Sequence, residues 1–258
     1  MNQRKKTIGL LGAGVIGARV GKAAEAEGFA TVAYVHARDR ARAAAAFPHA
    51  RFLADPAEVG REDVDLVVES ANAEVVRAVA LDVLDHRDLV VFSLTALADD
   101  GFREAVRRRC AEAGTRLYIP HGGILGMDGI WDGRSELEEV SITTTKAPKS
   151  LGNGDPNRTG VLYDGPTRGA CAEFPRNVNV HACLALCGVG FDKTRSVLVA
   201  DPDAKTMGHV IEVKGKGLEW RIEISAPAVG AVTGAYTPVS AVSTIRRILD
   251  DRYDLVMA

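Results

Sequence analysis

The first 119 residues alternate between short apolar runs and stretches whose apolar residues recur at helical spacing. The apolar runs predict strands at Thr7–Leu11, Ala30–Val35, Arg51–Leu53, Asp65–Glu69, Leu89–Ser93 and Thr115–Ile119. The stretches between them predict helices that include Arg19–Glu27, Asp39–Ala46, Glu74–Leu84 and Asp99–Ala113. Such alternation predicts a parallel, doubly wound sheet. We therefore expect residues 1–119 to form an α/β domain.

The pattern changes at Pro120, where period-2 alternation becomes the main signal. It predicts strands at Val140–Thr145, Ser196–Ala200, His209–Lys214 and Trp220–Ser225. We expect residues 120–236 to form a second, α+β domain on an open mixed or antiparallel sheet, with a helix over Val178–Cys187. Residues 237–249 have an amphipathic pattern and predict a final helix, and we expect residues 237–258 to dock back on the first domain.

Composition narrows the class of protein and of partner. Apolar residues make up 47% of the chain and charged residues 26%, and the formal net charge of −2 gives no reason to expect nucleic acid or a membrane surface as partner. No apolar run approaches the roughly 20 residues that span a bilayer. The apolar stretch after the basic N-terminus is too short and too rich in glycine for a signal peptide. We expect a cytoplasmic protein.

The four cysteines give no sign of a metal or redox centre. Only Cys183 and Cys187 lie close together in the sequence, and the chain has no CxxC pair. We interpret the cysteines as reduced, small apolar residues and expect no bound metal.

A glycine motif follows the first predicted strand. Gly12-x-Gly14-x-x-Gly17 stands between that strand and a helix, which is the order found in pyrophosphate sites of the Rossmann type. Gly12 allows the turn, Gly14 lets the backbone approach the phosphates, and Gly17 lets the helix pack closely. The helix N-terminus attracts the anion. We assign cofactor binding to Gly12, Gly14, Val15, Ile16 and Gly17; the alternative is a glycine turn without a ligand.

The end of the second predicted strand indicates which dinucleotide is bound. An acidic residue that would bind the ribose of NAD is expected near His36, and His36 is not acidic. His36, Arg38 and Arg40 suit a 2′-phosphate, so we assign cofactor binding to His36 and Arg38 and favour NADP, or use of both NAD and NADP. Asp39 is a second candidate for the ribose, or the start of a helix. The alternative is a solvated cluster of charges.

Five short motifs distinguish the second half of the chain from ordinary packing sequence. They are IP-x-G-x-I-x-G-x-D from Ile119, FP-x-NVNV from Phe174, GFDKT from Gly190, ADP from Ala200 and H-x-IEV from His209. Together with the N-terminal glycine motif they resemble the L-aspartate dehydrogenase family, and the resemblance covers essentially the whole chain. That family oxidises aspartate to iminosuccinate with NAD(P)⁺, in a reaction that can feed NAD biosynthesis.

The resemblance implies roles for three residues. Gly123 contacts the nicotinamide end of the cofactor, Asn179 binds the cofactor, and His209 is the acid/base residue. Histidine suits proton transfer near neutral pH. Taken without the resemblance, Asn179 is also a candidate helix N-cap and His209 a candidate surface histidine at a strand edge. The family further implies a homodimer, with residues 120–236 serving substrate binding, catalysis and dimerisation.

The chain also departs from the family pattern at several positions. His121 replaces the usual Ser, Gly123 replaces Ala, Leu125 replaces Gly, and His181 replaces Ala. Two additional histidines near the expected substrate pocket alter what can bind there. They also offer donors to a dicarboxylate.

A dicarboxylate substrate needs cationic recognition. The cationic candidates are His121, Lys146, Lys193 and Arg195. We assign substrate binding to His121, His181 and Lys193, although Lys193 has an alternative structural role in a pair with Asp192 or Asp201.

The sequence therefore predicts an NAD(P)-dependent amino-acid dehydrogenase whose active site lies in a cleft between two domains. Residues 146–158 form a candidate loop that closes over the substrate. Two alternatives stay open. One is an imine or oxo-acid reductase of different specificity on the same scaffold, and the other is a non-catalytic NADP(H)-binding sensor.

Overall fold

The computed structural model describes residues 5–151, 157–229 and 233–249. These residues form two compact units, one made of the residues up to Pro120 and those from Pro238, the other of His121–Thr237. None of the helices in the described ranges is both long and apolar enough to cross a membrane.

The first unit is a sheet flanked by helices. Its elements up to Pro120 are β1 (Thr7–Leu11), α1 (Val15–Ala26), β2 (Thr31–His36), α2 (Arg40–Ala46), β3 (Arg51–Leu53), β4 (Leu66–Glu69), α3 (Ala73–Leu84), β5 (Leu89–Val91), α4 (Asp100–Ala113) and β6 (Leu117–Tyr118). The six strands lie in the order β3-β2-β1-β4-β5-β6, and all five pairs are parallel. This order reverses direction at β1, which is the Rossmann arrangement, and it confirms the parallel sheet predicted from the sequence.

Burial explains why these strands read as unbroken apolar runs. Ile8, Leu10 and Leu11 of β1 are completely buried, as are Leu66 and Val68 of β4. Helices cover both faces of a parallel sheet, so a strand in its middle has no solvent side to make polar.

The second unit is built on a five-stranded mixed sheet. Its elements are α5 (Met127–Gly133), β7 (Leu137–Lys146), β8 (Gly160–Pro166), α6 (Thr167–Glu173), α7 (Asn179–Cys187), β9 (Arg195–Ala200), β10 (Met207–Gly215), β11 (Leu218–Ala226) and a short ribbon of β12 (Ala228–Val229) and β13 (Thr233–Gly234). The strand order is β11-β10-β7-β9-β8, in which β7 and β9 are parallel and the other pairs antiparallel. The mixed α+β architecture predicted for this region is confirmed.

Two elements of the second unit have no clear signal in the sequence. Strand β8 contains two glycines, an aspartate and a proline, and it pairs with β9 alone at the sheet edge. An edge strand tolerates such residues because one side of its backbone needs no ladder partner. The short helix α6 follows it directly. Part of the predicted closing loop, residues 152–156, lies outside the described residues.

The final helix, α8 (Tyr236–Leu249), places its apolar face in the core of the first unit. Ala241, Val242, Ile245 and Leu249 belong to the same buried cluster as Ile8 and Leu10 of β1. Residues 250–258 of the segment expected to dock there lie outside the described residues.

This packing predicts a large difference between two positions of α8. Ile245 is fully buried and Val239 is 54% exposed. We expect Ile245→Ala to lower the free energy of unfolding by about 2–5 kcal/mol because it leaves a cavity in the core. Val239→Ala is the matched control, with a change within about 0.5 kcal/mol. Urea denaturation measures both, and an equal effect of the two substitutions would contradict this placement of α8.

Candidate active site

The glycine motif forms a tight turn between β1 and α1. Gly12 has a φ of +103°, and a Cβ atom there would lie 2.9 Å from the carbonyl group of Ser70. The Gly12 N–H donates to the His36 carbonyl oxygen at 2.8 Å, and the Ser70 N–H donates to the Leu11 carbonyl oxygen at 2.7 Å. The turn is therefore held between β2 and the end of β4, and it has no room for a side chain at residue 12.

The two other glycines of the motif stand in opposite surroundings. A Cβ atom at Gly17 would lie only 2.1 Å from the Gly12 carbonyl oxygen, so α1 can pack this closely only with glycine there. A Cβ atom at Gly14 would meet nothing within 4 Å. Gly14 is the N-cap of α1. The first turn of α1 contains no acidic residue, and no side chain caps the helix N-terminus. The N–H groups of Val15 and Ile16 belong to this turn, which suits a bound pyrophosphate.

A buried carboxylate ties together the loops at the same edge of the sheet. Glu69, the last residue of β4, is fully buried and accepts hydrogen bonds from the Ala71 N–H at 2.7 Å, the Ser93 N–H at 3.0 Å and the Ser93 hydroxyl at 2.7 Å. Burial raises the pKa of Glu69 to about 7. We did not single out Glu69 from the sequence, although a carboxylate at the end of an unbroken apolar run was a usable signal.

The residues expected to select the dinucleotide lie after β2. His36 donates from Nδ1 to the Leu53 carbonyl oxygen at 3.0 Å, and Arg38 is exposed. Asp39 is the N-cap of α2, and its Oδ1 accepts from the Arg42 N–H at 2.9 Å, so the helix-start alternative for Asp39 holds. The exposed Arg40 places its guanidinium 5.3 Å from the centre of the Phe52 ring. Two arginines thus flank a carboxylate that already caps a helix.

In the second unit, one hydroxyl group links two buried histidines. Thr144 on β7 pairs directly with His209 on β10, so both side chains lie on the same face of the sheet. The Thr144 Oγ1 is 2.8 Å from His209 Nδ1 and 2.7 Å from His181 Nε2 on α7. His209 is 6% exposed and His181 is fully buried. His209 is therefore not the surface histidine of the alternative interpretation.

Burial keeps both imidazoles neutral. Burial, together with the smaller effect of the Lys146 charge, lowers the pKa of His209 to about 3. Burial also lowers the pKa of His181 well below its ordinary value, and the charges of His209 and Lys146 act in the same direction. A neutral imidazole can accept a proton, so this arrangement presents a base and not an acid in the free protein.

Lys146 is the buried cation beside these histidines. Only 2% of it is exposed, and its Nζ donates to the Asn177 carbonyl oxygen at 3.4 Å. Burial lowers the pKa of Lys146 to about 8. Lys146 is the last residue of β7 and not the first residue of a loop.

The glycine-rich connector approaches the other ring nitrogen of His209. A Cβ atom at Gly123 would lie 3.8 Å from His209 Nε2 and 3.0 Å from Thr237 Oγ1. His121 donates from Nδ1 to the Ile124 carbonyl oxygen at 2.6 Å, and its ring centre is 6.3 Å from that of Tyr236. Glycine at 123 therefore leaves open the space next to the Nε2 atom.

The structure does not bring the other candidates into this cluster. Lys193 is exposed and has no carboxylate partner within the described ranges. Its suggested partner Asp192 is bound by Arg168 at 2.6 and 2.7 Å. Arg195 forms a two-pronged ion pair with Asp164, with both contacts at 2.7 Å.

Asn179 is the first residue of α7, and the N-cap position belongs to Val178, which makes no side-chain cap. The alternative role of Asn179 as an N-cap is therefore wrong. Its cofactor-binding role stays a prediction.

Thr144 is the central residue that the sequence analysis missed. The burial pattern of β7 alternates, and Val140, Ile142, Thr144 and Lys146 all lie on its buried face. The alternation itself was the available signal, because it places a hydroxyl and an ammonium group where apolar residues are expected. Within the described ranges no group of three or more histidine, cysteine or acidic residues is arranged to hold a metal ion, and all four cysteines are free.

Comparison with known protein families gives two matches that together span most of the chain. The family model described as the C-terminal region of aspartate dehydrogenase matches residues 130–248. The model described as the NAD-binding domain of homoserine dehydrogenase matches residues 12–120.

Individual relatives match over nearly their full length. An L-aspartate dehydrogenase of Nitrosopumilus maritimus is 32% identical over 95% of this chain and 97% of its own. L-Aspartate dehydrogenase 1 of Bordetella pertussis is 34% identical over 88% of this chain and 92% of its own.

Solved structures agree with these matches. The crystal structure of aspartate dehydrogenase from Thermotoga maritima has a TM-score of 0.78 at 26% identity and covers 99% of this chain and 100% of its own. A dehydrogenase of Bordetella pertussis in complex with NADH and UDP-GlcNAcA has a TM-score of 0.57 at 13% identity over 97% of this chain and 88% of its own, which shows a shared fold.

The contrast between the glycines of the motif gives a test of the dinucleotide site. We expect Gly17→Ala to destabilise the first unit, because its Cβ atom would collide with the Gly12 carbonyl. Gly14→Ala is expected to keep the stability of the wild type and to weaken NAD(P)H binding at least tenfold, because its methyl group occupies the space where phosphates approach. Thermal unfolding and fluorescence titration measure the two effects. Unchanged cofactor affinity of Gly14→Ala would contradict this assignment.

Proposed function

The chain belongs to the L-aspartate dehydrogenase family of NAD(P)-dependent oxidoreductases that act on CH–NH₂ groups, and we propose that it oxidises L-aspartate to iminosuccinate. Water then converts the imine to oxaloacetate and ammonia, and the reverse reaction is a reductive amination. The observation that carries this proposal is the buried, neutral His209, whose Nδ1 is held by Thr144 and whose Nε2 lies beside Gly123. The alternative of a non-catalytic sensor is not retained.

The residues of the first unit fit a dinucleotide. The space above Gly14 and the N-terminus of α1, with Val15 and Ile16, would hold the pyrophosphate. When bound, the nicotinamide would supply the acceptor for the hydride that leaves the substrate's Cα. Gly123 and Asn179 are proposed to contact the cofactor, as the family resemblance implies.

His209 is proposed to take the proton that the substrate amine must lose. An ammonium group has no lone pair, so the C=N bond can form only after one N–H proton leaves. The neutral imidazole accepts that proton at Nε2 and returns it in the reverse reaction. Once that proton has been released, the same nitrogen can take a proton from the water that attacks the imine.

The single proton of the Thr144 hydroxyl orients this base. For Nε2 of His209 to be free, the ring must carry its proton on Nδ1 and donate it to Thr144 Oγ1. The Thr144 hydroxyl then donates to His181 Nε2, which leaves the proton of His181 on Nδ1. We therefore propose that Thr144 and His181 are positioning residues that hold His209 in its basic tautomer, and that His181 does not contact the substrate directly.

Several finer properties are part of the proposal. The exposed Arg38 and Arg40 beside His36 support use of NADP, alone or together with NAD. The free cysteines support action in a reducing compartment such as the cytoplasm. A homodimer is proposed from the family resemblance. The alternative from the sequence, an imine or oxo-acid reductase of different specificity, rests on the additional histidines and predicts turnover of other oxo acids without turnover of aspartate.

A steady-state assay with L-aspartate, with NAD⁺ and NADP⁺ supplied in parallel, tests the proposal. We expect turnover with aspartate and a loss of about 10²- to 10⁴-fold in kcat for His209→Ala, since the proton transfer loses its base. Cofactor affinity should not change. His86→Ala, at an exposed histidine of the first unit, is the matched control and should keep full activity.

Oxidation of other amino acids, but not of aspartate, would overturn the choice of substrate. A His209→Ala variant with wild-type kcat would overturn the role of the histidine.

A further inference from the structure

Lys146 is a buried ammonium group without a counter-ion. It is 2% exposed, and in the described part of the chain no carboxylate lies within ion-pair distance of its Nζ. Its one hydrogen bond to an atom of the described residues is the 3.4 Å contact with the Asn177 carbonyl oxygen. A lysine ammonium has three N–H donors, and burying a charge without an anion is costly. In the described part of the protein, the Lys146 ammonium group therefore has neither a full set of hydrogen-bond acceptors nor a balancing negative charge.

The position of Lys146 places this charge in the site described above. It is two residues from Thr144 on the buried face of β7, so the two side chains leave the strand on the same side. The charge of Lys146 is felt by both His209 and His181, whose pKa values it lowers. These histidines are the titratable groups that face it from β10 and α7. Among the residues that the structure describes, no negative charge balances the cluster.

Two further buried atoms in this region are without partners in the described structure. They are Oδ1 of Asn177 and Nδ1 of His181. Asn177 uses its amide group to donate to the Leu151 carbonyl oxygen at 2.9 Å. Unsatisfied buried polar atoms are rare, and here they accompany the unpaired ammonium group.

Two surface arginines of the same unit have their charge balanced. Arg168 donates two hydrogen bonds to the Asp192 carboxylate, and Arg195 donates two to the Asp164 carboxylate. Their charge is balanced within the protein, so neither has a need for an external anion. Lys146 differs in being both buried and unpaired.

We propose that Lys146 binds a carboxylate group of the substrate and thereby selects acidic amino acids. The proposal rests on the function proposed above, because it assigns a substrate contact in the same site. An incoming carboxylate would complete the hydrogen bonds of the ammonium group and balance its charge. It would also reduce the positive field that opposes proton uptake by His209, so that binding of the acidic substrate assists its own deprotonation.

Binding of succinate tests this assignment without any turnover. Succinate has two carboxylates and no amine, so it cannot be oxidised by this reaction. We expect wild-type protein to bind succinate, measured by calorimetry with and without NADH. Lys146→Met should weaken that binding about 10- to 100-fold, as expected for the loss of charge-assisted hydrogen bonds. Lys146→Arg keeps the charge and should retain part of the affinity.

Two controls separate a lost contact from a damaged fold. Lys214→Met, at an exposed lysine of β10, should bind succinate like the wild type. Lys146→Met should unfold at the wild-type temperature or above, because methionine fills the space without a buried charge. NADH affinity should be unchanged in both variants.

The possible outcomes distinguish this proposal from the proposed function. Wild-type protein that does not bind succinate, or Lys146→Met with wild-type affinity for it, would overturn the role of Lys146. Succinate binding that depends on Lys146, in a protein that does not oxidise aspartate, would leave the carboxylate site standing and overturn the proposed reaction. With both functions present, the KM for aspartate should rise in Lys146→Met and recover in part in Lys146→Arg.

Discussion

The hydroxyl of Thr144 is the constraint on which the chemistry of the second unit depends. It has one proton to donate, and it lies within hydrogen-bond distance of two buried imidazoles, at 2.8 Å and 2.7 Å. Each ring must therefore adopt the tautomer that its neighbour permits. A protonated imidazole could donate a hydrogen bond from both nitrogens, but burial lowers the pKa of both histidines and keeps the rings neutral. The result is a pair of neutral imidazoles held by one hydroxyl, beside a buried ammonium group that has no carboxylate partner among the described residues.

In the first unit, glycines and one buried carboxylate determine the shape of the candidate site. Its glycine turn is formed by backbone atoms. Gly12 and Gly17 have no room for a Cβ atom, whereas the space next to Gly14 is open. The fully buried Glu69 then holds the neighbouring loops through three hydrogen bonds. The first unit thus offers a tight glycine turn at a helix N-terminus, and the second unit offers a polar cluster on one face of its sheet.

The two sites differ in how much of them could be predicted from the sequence. The glycine turn is local, so three glycines within six positions, Gly12, Gly14 and Gly17, are enough to predict it. The parallel sheet is predicted from the unbroken apolar runs. The histidine cluster is not local: Thr144 is 37 residues from His181 and 65 from His209. Only the register of β7 with β10 and the packing of α7 bring them together. The family resemblance points to His209 as the acid/base residue, which stays a prediction, and it gives no role to Thr144. The edge strand β8 was not predicted because a strand that pairs on one side only tolerates glycine, aspartate and proline, which hide the strand pattern in the sequence.

The protonation of the histidines is the most direct test of this account. Nitrogen-15 NMR of protein labelled at its six histidines reports charge and tautomer for each ring. The account predicts that His181 and His209 stay neutral from pH 7 to pH 5, with the proton of His209 on Nδ1 and its Nε2 unprotonated. A His209 resonance that titrates near its ordinary pKa of about 6.5, or one that carries its proton on Nε2, would contradict it.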